Sequence, residues 1–413
     1  MDFLHRNTIK DFFLPILREQ WLKTEDTFPS CMAKVSQEQK ERNEAYVREA
    51  SDAFGQQFAR YPRFPIGKNK WRKDTYGLLY QVLNEEPLLH IHQSLPRERL
   101  ESLISEMKTF MKRVRRDVPE MSNDDMGQAA RNYIVYLMFK EIHNDTSDFS
   151  EACYGYSMLY PFTDNYIDNN SCSREEKFRY NSLIRNYLKG EDPLPSSEHD
   201  EKTLYFLSLA GKTSGSDISQ SASELLLMML EAQEKSLQQQ GSDTLLGYRK
   251  RLDISLFKGG LSVLIDRFFV KNKLTREDMI FYLGFGFFLQ LADDLQDIKE
   301  DSEKRHQTLF TLNLSAEEEE KNVNKLFFFI TDLCAAFPAA NRKFLDFVLI
   351  NCYQLILMGV QKSQEYFRED YVKQLGEYFP VSFSYLASPP ENPFSGTAAD
   401  TKKFDKILET LLL

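Results

Sequence analysis

The sequence predicts an all-α protein, and three observations support this prediction. Apolar residues recur at the three- and four-residue spacing of helix faces along most of the chain. The sequence lacks the alternating apolar and polar segments, joined by Asn-Gly or Asp-Gly turns, that would indicate β-hairpins. The apolar run 279–292 is shorter than the roughly 18 residues that span a bilayer. It ends at two aspartates, so we interpret it as a buried helix and expect no transmembrane segment.

The composition is that of a globular protein with a substantial core. The chain has 413 residues, of which 42% are hydrophobic, and a formal net charge of −10. This charge argues against nucleic acid as a partner, because nucleic-acid-binding proteins displace counterions with a clustered basic surplus. The N-terminus does not resemble a secretory signal, and the five cysteines are scattered without CxxC spacing. A reducing, cytoplasmic location is therefore expected, and a homodimer stays open as the oligomeric state.

Turn-forming residues predict where the helices are interrupted. Gly, Pro, Ser and Asp cluster in four segments, which we predict to be loops: 190–200, 211–216, 241–243 and 388–399. The sequence has no internal repeat. We therefore expect an N-terminal helical portion over residues 1–80, packed on one large helical domain over residues 81–413.

A capping box predicts where the most apolar helix begins. Thr275 precedes Asp278 by three residues, and the apolar run follows at Met279. The segment is apolar almost all round, which is typical of a helix in the middle of a bundle rather than on its surface.

The same helix is predicted to continue into an acidic segment, residues 289–301. At about 100° per residue, its polar side chains fall on one face: Gln290, Asp293, Asp294, Asp297, Glu300 and Asp301. Like charges at this spacing repel one another, and bound cations would offset the repulsion. Carboxylates without histidine suit Mg²⁺. The alternative is a helix end that leaves the core and is solvated by its acids.

A second acidic pair lies upstream. Asp164 and Asp168 are four residues apart, so they stack on one face of a helix. An aromatic approach over 154–162 precedes them, and Asn165, Asn169 and Asn170 could add oxygen ligands. Pro161 must open this helix or kink it. The spacing alone is common by chance in so acidic a chain.

The two acidic segments resemble motifs of the class I (trans) isoprenoid and terpenoid synthase superfamily. LQLADDLQDIKED, at 289–301, resembles the second aspartate-rich motif of both the chain-elongating and the squalene/phytoene synthase branches. TDNYIDN, at 163–169, resembles the first motif of the latter branch. The resemblance implies a large helical bundle around a central cavity, which binds Mg²⁺ and an allylic isoprenyl diphosphate.

The resemblance also implies roles for individual residues. The implied metal ligands are Asp164, Asp168, Asp293, Asp294, Asp297 and Asp301. The implied catalytic residues are Asp164, Asp168, Asp293, Asp297 and Lys258. The implied substrate-binding residues are Lys258, Gln290, Lys304, Arg305 and Arg174. Lys258 could equally extend to the surface, although the adjacent Gly259 and Gly260 predict a kink or a close backbone approach. Lys304 and Arg305 could equally balance charge at a helix end.

The reaction that follows ionisation is open between several alternatives. Chain elongation is disfavoured because Asn169-Asn170 stands where paired arginines are expected. Residues 165–169 resemble the DYxDN motif of bacterial large-terpene synthases, with Asn165 in place of its first Asp, and this favours a terpene cyclase. Head-to-head condensation, as in squalene or phytoene synthase, is the alternative, and a non-catalytic helical relative is another. The candidate aromatic residues for stabilising a carbocation, or for ordinary core packing, are Tyr154, Phe257, Phe285 and Phe287.

Overall fold

The structure is a computed structural model that describes residues 6–30, 32–169, 171–211, 216–240, 244–387 and 406–411. Within these ranges the chain forms 18 α-helices and no strand, which confirms the predicted all-α class. The helices are α1 Arg6–Thr8, α2 Leu14–Lys23, α3 Gln37–Ala59, α4 Lys68–Glu85, α5 Ile91–Ser94, α6 Arg97–Asp117, α7 Asn123–Ile142, α8 Glu151–Asp168, α9 Arg174–Leu188, α10 Glu198–Ala210, α11 Ser216–Ser236, α12 Tyr248–Val270, α13 Arg276–Gln296, α14 Ile298–Glu303, α15 Ala316–Ala336, α16 Arg342–Lys362, α17 Glu369–Gly376 and α18 Phe383–Ala387.

The predicted loops lie mostly between helices where the structure describes them, but residues 198–200 belong to the first turn of α10 and Ser216 begins α11. Residues 189–197 connect α9 to α10, and Gly211 caps the end of α10. The segments 212–215, 241–243 and 388–399 lie outside the described residues, so the loops predicted there stay predictions.

The chain divides into two compact units, each built from two separate stretches of sequence. The first comprises Met1–Pro29 and Arg113–Phe367, and the second comprises Ser30–Lys112 and Arg368–Leu413. This division differs from the expected boundary at residue 80, which falls inside α4. Pairing between distant segments is the reason. In the second unit, for example, the Asn43 side chain in α3 donates to the Pro380 carbonyl oxygen at 2.7 Å.

Helix α13 lies at the centre of the first unit. It begins after Thr275, whose hydroxyl accepts from the Asp278 N–H while the Asp278 carboxylate accepts from the Thr275 N–H. The predicted start is therefore confirmed. The helix packs against α2, α12, α15 and α16, and most of its side chains up to Leu295 are buried. The predicted position inside a bundle is also confirmed.

One described helix, α16, is long and apolar enough to cross a bilayer by length and composition. It packs against α7, α13 and α15 within the first unit, and 44% of its most apolar window is buried there. Core helices of soluble proteins meet the same two criteria. These contacts are those of a helix in a bundle.

Helices α12 and α13 approach each other closely at glycines. A Cβ added to Gly286 would lie 2.1 Å from the Gly259 carbonyl oxygen, and one added to Gly259 would lie 2.6 Å from the Gly286 carbonyl oxygen. A Cβ on Gly260 would lie 2.9 Å from the Leu283 carbonyl oxygen. The close backbone approach predicted at 259–260 is confirmed. It places Lys258 beside the C-terminal turns of α13, where the acidic segment begins.

Candidate functional site

The acidic segment is not one continuous helix. Helix α13 ends at Gln296, Asp297 has φ −107° and ψ 17°, and α14 begins at Ile298. The Ser363 hydroxyl, at the end of α16, donates to the Leu295 carbonyl oxygen at 2.8 Å and so satisfies one carbonyl of the last turn. Glu300 and Asp301 therefore belong to α14, and the expectation that all the acids share one face of a single helix is wrong.

Asp293 and Asp294 are adjacent in sequence but lie in different surroundings. The Asp294 side chain is buried, its Oδ1 accepts from Gln290 Nε2 at 2.9 Å, and its Oδ2 has no hydrogen-bond partner among the described residues. Burial, with smaller contributions from Asp293 and Asp301, raises the Asp294 pKa to about 7. Asp294 is therefore an interior carboxyl group that is easily protonated.

Asp293, by contrast, is exposed to water. Partial desolvation by surrounding protein is nevertheless the largest cause that raises its pKa, followed by the negative charges of Asp297 and Asp301. Asp293 is therefore a carboxylate that water reaches but that protein atoms also crowd. The positive charges of Lys258 and Lys362 lower its pKa, so these two side chains lie near the Asp293 carboxylate.

Asp297 and Asp301 contact two side chains that lie outside the predicted motifs. Lys362 Nζ, at the end of α16, donates to Asp297 Oδ1 at 2.7 Å, and this contact raises the Lys362 pKa. His306 Nδ1 lies 3.1 Å from Asp301 Oδ1. Lys362 is 65 residues from its partner, so no local spacing could reveal it. His306 is only five residues from Asp301, but the chain turns between them, where Arg305 has a φ of 56°.

The structure brings together only part of the predicted basic set. Lys258 is half-buried and acts on the Asp293 pKa. Lys304 forms an ion pair with Glu300, and its pKa is raised mainly by that contact and only secondarily by Asp301 and Asp297. Arg305 is exposed in the turn after α14. Arg174 is exposed in the first turn of α9, and among the described side chains, which do not include that of Asp168, it contacts neither acidic segment.

Asp164 lines a separate cavity among α8, α9, α10 and α11. Its carboxylate accepts from Gln233 Nε2 of α11 and from the Thr163 hydroxyl. The cavity has a volume of about 40 Å³, which is room for a few water molecules. Its other lining residues are mostly apolar side chains of these helices. In this conformation it is far smaller than the roughly 300 to 1,000 Å³ of small-molecule pockets.

The remainder of the first motif is only partly described. Helix α8 continues through Pro161 to Asp168, but the Asp168 side chain and Asn170 lie outside the described residues. The Asn165 side chain donates to Asp125 at 2.7 Å and to Gln128 at 3.1 Å, both on α7. The Asn165 amide nitrogen is thus bonded to α7, and the expectation that its amide oxygen adds a ligand beside Asp164 stays a prediction.

Two tyrosines of the predicted aromatic approach over 154–162 line this cavity, whereas the four aromatic candidates named for a carbocation do not. The Tyr156 and Tyr160 hydroxyls lie 3.1 Å apart, and the Tyr156 hydroxyl donates to the Ser262 carbonyl oxygen at 3.2 Å. Burial raises the pKa of both tyrosines, so both stay neutral. The four aromatic residues expected to face a carbocation are all buried in the core: Tyr154, Phe257, Phe285 and Phe287.

The carboxylates at the end of α13 fit Mg²⁺ only as an incomplete ligand set. Among the described residues, no three His, Cys, Asp or Glu side chains form a group that could hold a metal ion. Mg²⁺ usually takes one or two protein carboxylates, with water and phosphate oxygens completing its shell. Asp293 and Asp297 fit such a set, because each adds a negative charge at the end of α13, and the charge of Asp297 contributes to the raised Asp293 pKa. The buried Asp294 carboxyl lies in other surroundings and does not complete it.

No known protein family matches this chain, and no curated protein matches it. The resemblance to class I terpenoid synthases therefore depends on the residues of the two acidic motifs.

Proposed function

We propose that the protein is a magnesium-dependent class I terpene synthase, which ionises an allylic isoprenyl diphosphate and cyclises or rearranges the resulting carbocation. One observation carries this proposal. The glycine contact between α12 and α13 holds Lys258 near Asp293, a water-accessible carboxylate in the last turn of α13. A cation beside an incomplete set of hard oxygen ligands is what recognition of a magnesium diphosphate requires.

Each residue has a defined part in this proposal. Asp293 and Asp297 would hold Mg²⁺, which supplies positive charge that stabilises a departing diphosphate. Lys258 binds a diphosphate oxygen and offsets the charge that develops on it. Lys362 binds Asp297 and acts on Asp293, so a metal ion held by these two carboxylates would displace its ammonium group, which would then be available to a phosphate oxygen. The apolar body of α13 keeps water away from the carbocation.

A second candidate function is a non-catalytic helical protein that retains the motif. Two observations favour it. The cavity beside Asp164 has a volume of only about 40 Å³, so α8 to α11 must separate before an isoprenoid chain could enter. The Lys362 ammonium group also binds Asp297, so that carboxylate has a positively charged partner without a metal ion. This candidate predicts that neither Mg²⁺ nor any prenyl diphosphate stabilises the protein.

Incubation with prenyl diphosphates separates the two candidates. Purified protein is mixed with geranyl, farnesyl, geranylgeranyl and geranylfarnesyl diphosphate, each with Mg²⁺ and with EDTA. We expect Mg²⁺-dependent release of pyrophosphate from at least one substrate, together with an extractable hydrocarbon. A cyclised product supports the cyclase, whereas a product of doubled chain length supports head-to-head condensation. Failure to release pyrophosphate from every substrate would favour the non-catalytic candidate.

Removing the Lys362 ammonium group, which binds Asp297, is expected to strengthen metal binding at that carboxylate. Lys362→Gln leaves Asp297 without its ion pair, so the Mg²⁺ concentration that half-saturates the rise in melting temperature should fall about two- to fivefold. This corresponds to the ~1 kcal/mol or less that an exposed ion pair contributes. Lys321→Gln is the control, because it breaks a comparable exposed ion pair with Glu317 on α15. Equal half-saturation in both variants would show that Lys362 does not compete with the metal.

A further inference from the structure

The second compact unit contains an open groove whose walls are strongly basic. It lies between α4 and α6, has a volume of about 640 Å³, and is lined by Lys70, Arg72, Lys73, Lys108 and Lys112. Among the described residues, no carboxylate lines this groove. The whole chain carries 62 acidic and 52 basic residues, so five cations gathered without an acid depart from the average surface of the protein.

Four of the five cations of the groove form no ion pair with a described carboxylate. Within the described ranges, Lys70, Arg72, Lys73 and Lys108 form no ion pair with a carboxylate, and Arg72 donates only to the Asn69 side chain, at 3.3 Å. The Lys108 pKa is lowered, first by burial and then by the positive charges of Arg72 and Lys112. The groove is therefore a site where like charges repel, and an anion would relieve that repulsion.

Two tyrosines give the groove a fixed aromatic wall. Tyr76 Oη donates to the Leu411 carbonyl oxygen at 2.8 Å, and Lys108 Nζ lies 3.4 Å from the centroid of the Tyr76 ring. Burial raises the Tyr76 pKa to about 12, so its hydroxyl stays neutral. The Tyr80 ring lies next to it, with the two ring centroids 6.5 Å apart. Because Lys108 already covers one face of the Tyr76 ring, Tyr80 is the aromatic side chain that can contact an uncharged part of a ligand while the lysines hold its charged part.

We propose that this groove binds a small ligand that carries a phosphate or diphosphate group. Only a compact, multiply charged anion can contact several of these cations at once, and lysine and arginine are the usual partners of phosphate. The groove volume falls in the range of small-molecule sites. A nucleic-acid strand would need a basic surface that extends over many residues, whereas this one spans a few turns of two helices.

The proposal concerns the second unit and does not depend on the terpene synthase activity proposed for the first. The phosphate could belong to a soluble molecule or to a lipid headgroup. Pyrophosphate and ADP test the first source. Vesicles of phosphatidylcholine with and without a phosphorylated phosphatidylinositol test the second.

The test is calorimetric titration of the full chain with pyrophosphate and with ADP in EDTA at 0.15 M salt, so that no metal site contributes. The variant is Lys73→Gln combined with Lys108→Gln, which removes one cation from each helix. The control is Lys250→Gln combined with Lys343→Gln, which removes the same net charge from two exposed positions elsewhere. We expect the groove variant to bind at least about tenfold more weakly, and the control to bind as the unmodified chain does.

Each outcome decides the proposal. Binding of pyrophosphate or ADP that the groove variant loses supports it, with a soluble ligand as the source. Binding only to vesicles with the phosphorylated lipid, lost in the same variant, supports it with a headgroup as the source. Absence of binding to all of these probes, or equal binding by the groove variant and the unmodified chain, overturns it. Binding confined to a long oligonucleotide also overturns it, because the site would then be an extended surface.

Discussion

Replacing Asp293 with Asn is expected to reduce magnesium-dependent pyrophosphate release about 100- to 1,000-fold, the loss typical of removing one preorganised charge at a reacting centre. The largest effect is expected at Asp293 because it is the exposed one of the four aspartates implied as metal ligands in this segment, and because Lys258 and Lys362 both act on its pKa. The substitution preserves the shape of the side chain but removes the charge that a metal ion requires.

The same exposure predicts that the fold survives the substitution. An accessible carboxylate crowded by Asp297 and Asp301 stabilises the folded state little, so the unfolding transition of the variant should match that of the unmodified protein. Glu317→Gln, an exposed acid-to-amide change on α15, is the matched control and should retain full activity. The measurement is the initial rate of pyrophosphate release with the best substrate. A rate within twofold of the unmodified protein would exclude Asp293 as a metal ligand.

Local sequence patterns predicted much of the fold around this site. The start of α13 follows from two residues, Thr275 and Asp278, whose backbone and side-chain groups satisfy each other within one turn. The approach of α12 to α13 follows from glycine, because only a residue without Cβ leaves room for a facing carbonyl oxygen. The first interaction lies within one helical turn, and the second depends only on the absence of a side chain at glycine.

The arrangement of the acids could not be predicted in the same way. Helical periodicity predicted a single acidic face. The helix instead ends at Gln296, where the Ser363 hydroxyl, 68 residues away in sequence, donates to the Leu295 carbonyl oxygen. Lys362 reaches Asp297 from the same distant helix end. Whether Asp293 or Asp294 faces water depends on how α16 and α12 pack around α13. Tertiary contacts of this kind cannot be predicted from the spacing of residues within a short motif.

The contact between Gly259 and Gly286 predicts the largest change in stability. Gly286→Ala would place a methyl group 2.1 Å from the Gly259 carbonyl oxygen, and the obstacle is backbone rather than a flexible side chain. The two central helices must therefore move apart, at a cost of about 3 kcal/mol or more in the free energy of unfolding, the upper part of the range for overpacked cores. Gly127→Ala is the control. It lies inside α7 with nothing within 4 Å of the added atom, so it should stabilise the protein by about 0.5 to 1 kcal/mol.

Urea unfolding measures both changes. The chain has two tryptophans, and Trp21 packs edge-on against Phe287 of α13, with ring centroids 5.4 Å apart. In a Trp71→Phe background its fluorescence therefore reports the first unit alone. Equal midpoints for Gly286→Ala and Gly127→Ala would mean that the two helices can separate at little cost. That result would also remove the structural basis for Lys258 beside Asp293, because the same close approach holds that lysine against the end of α13.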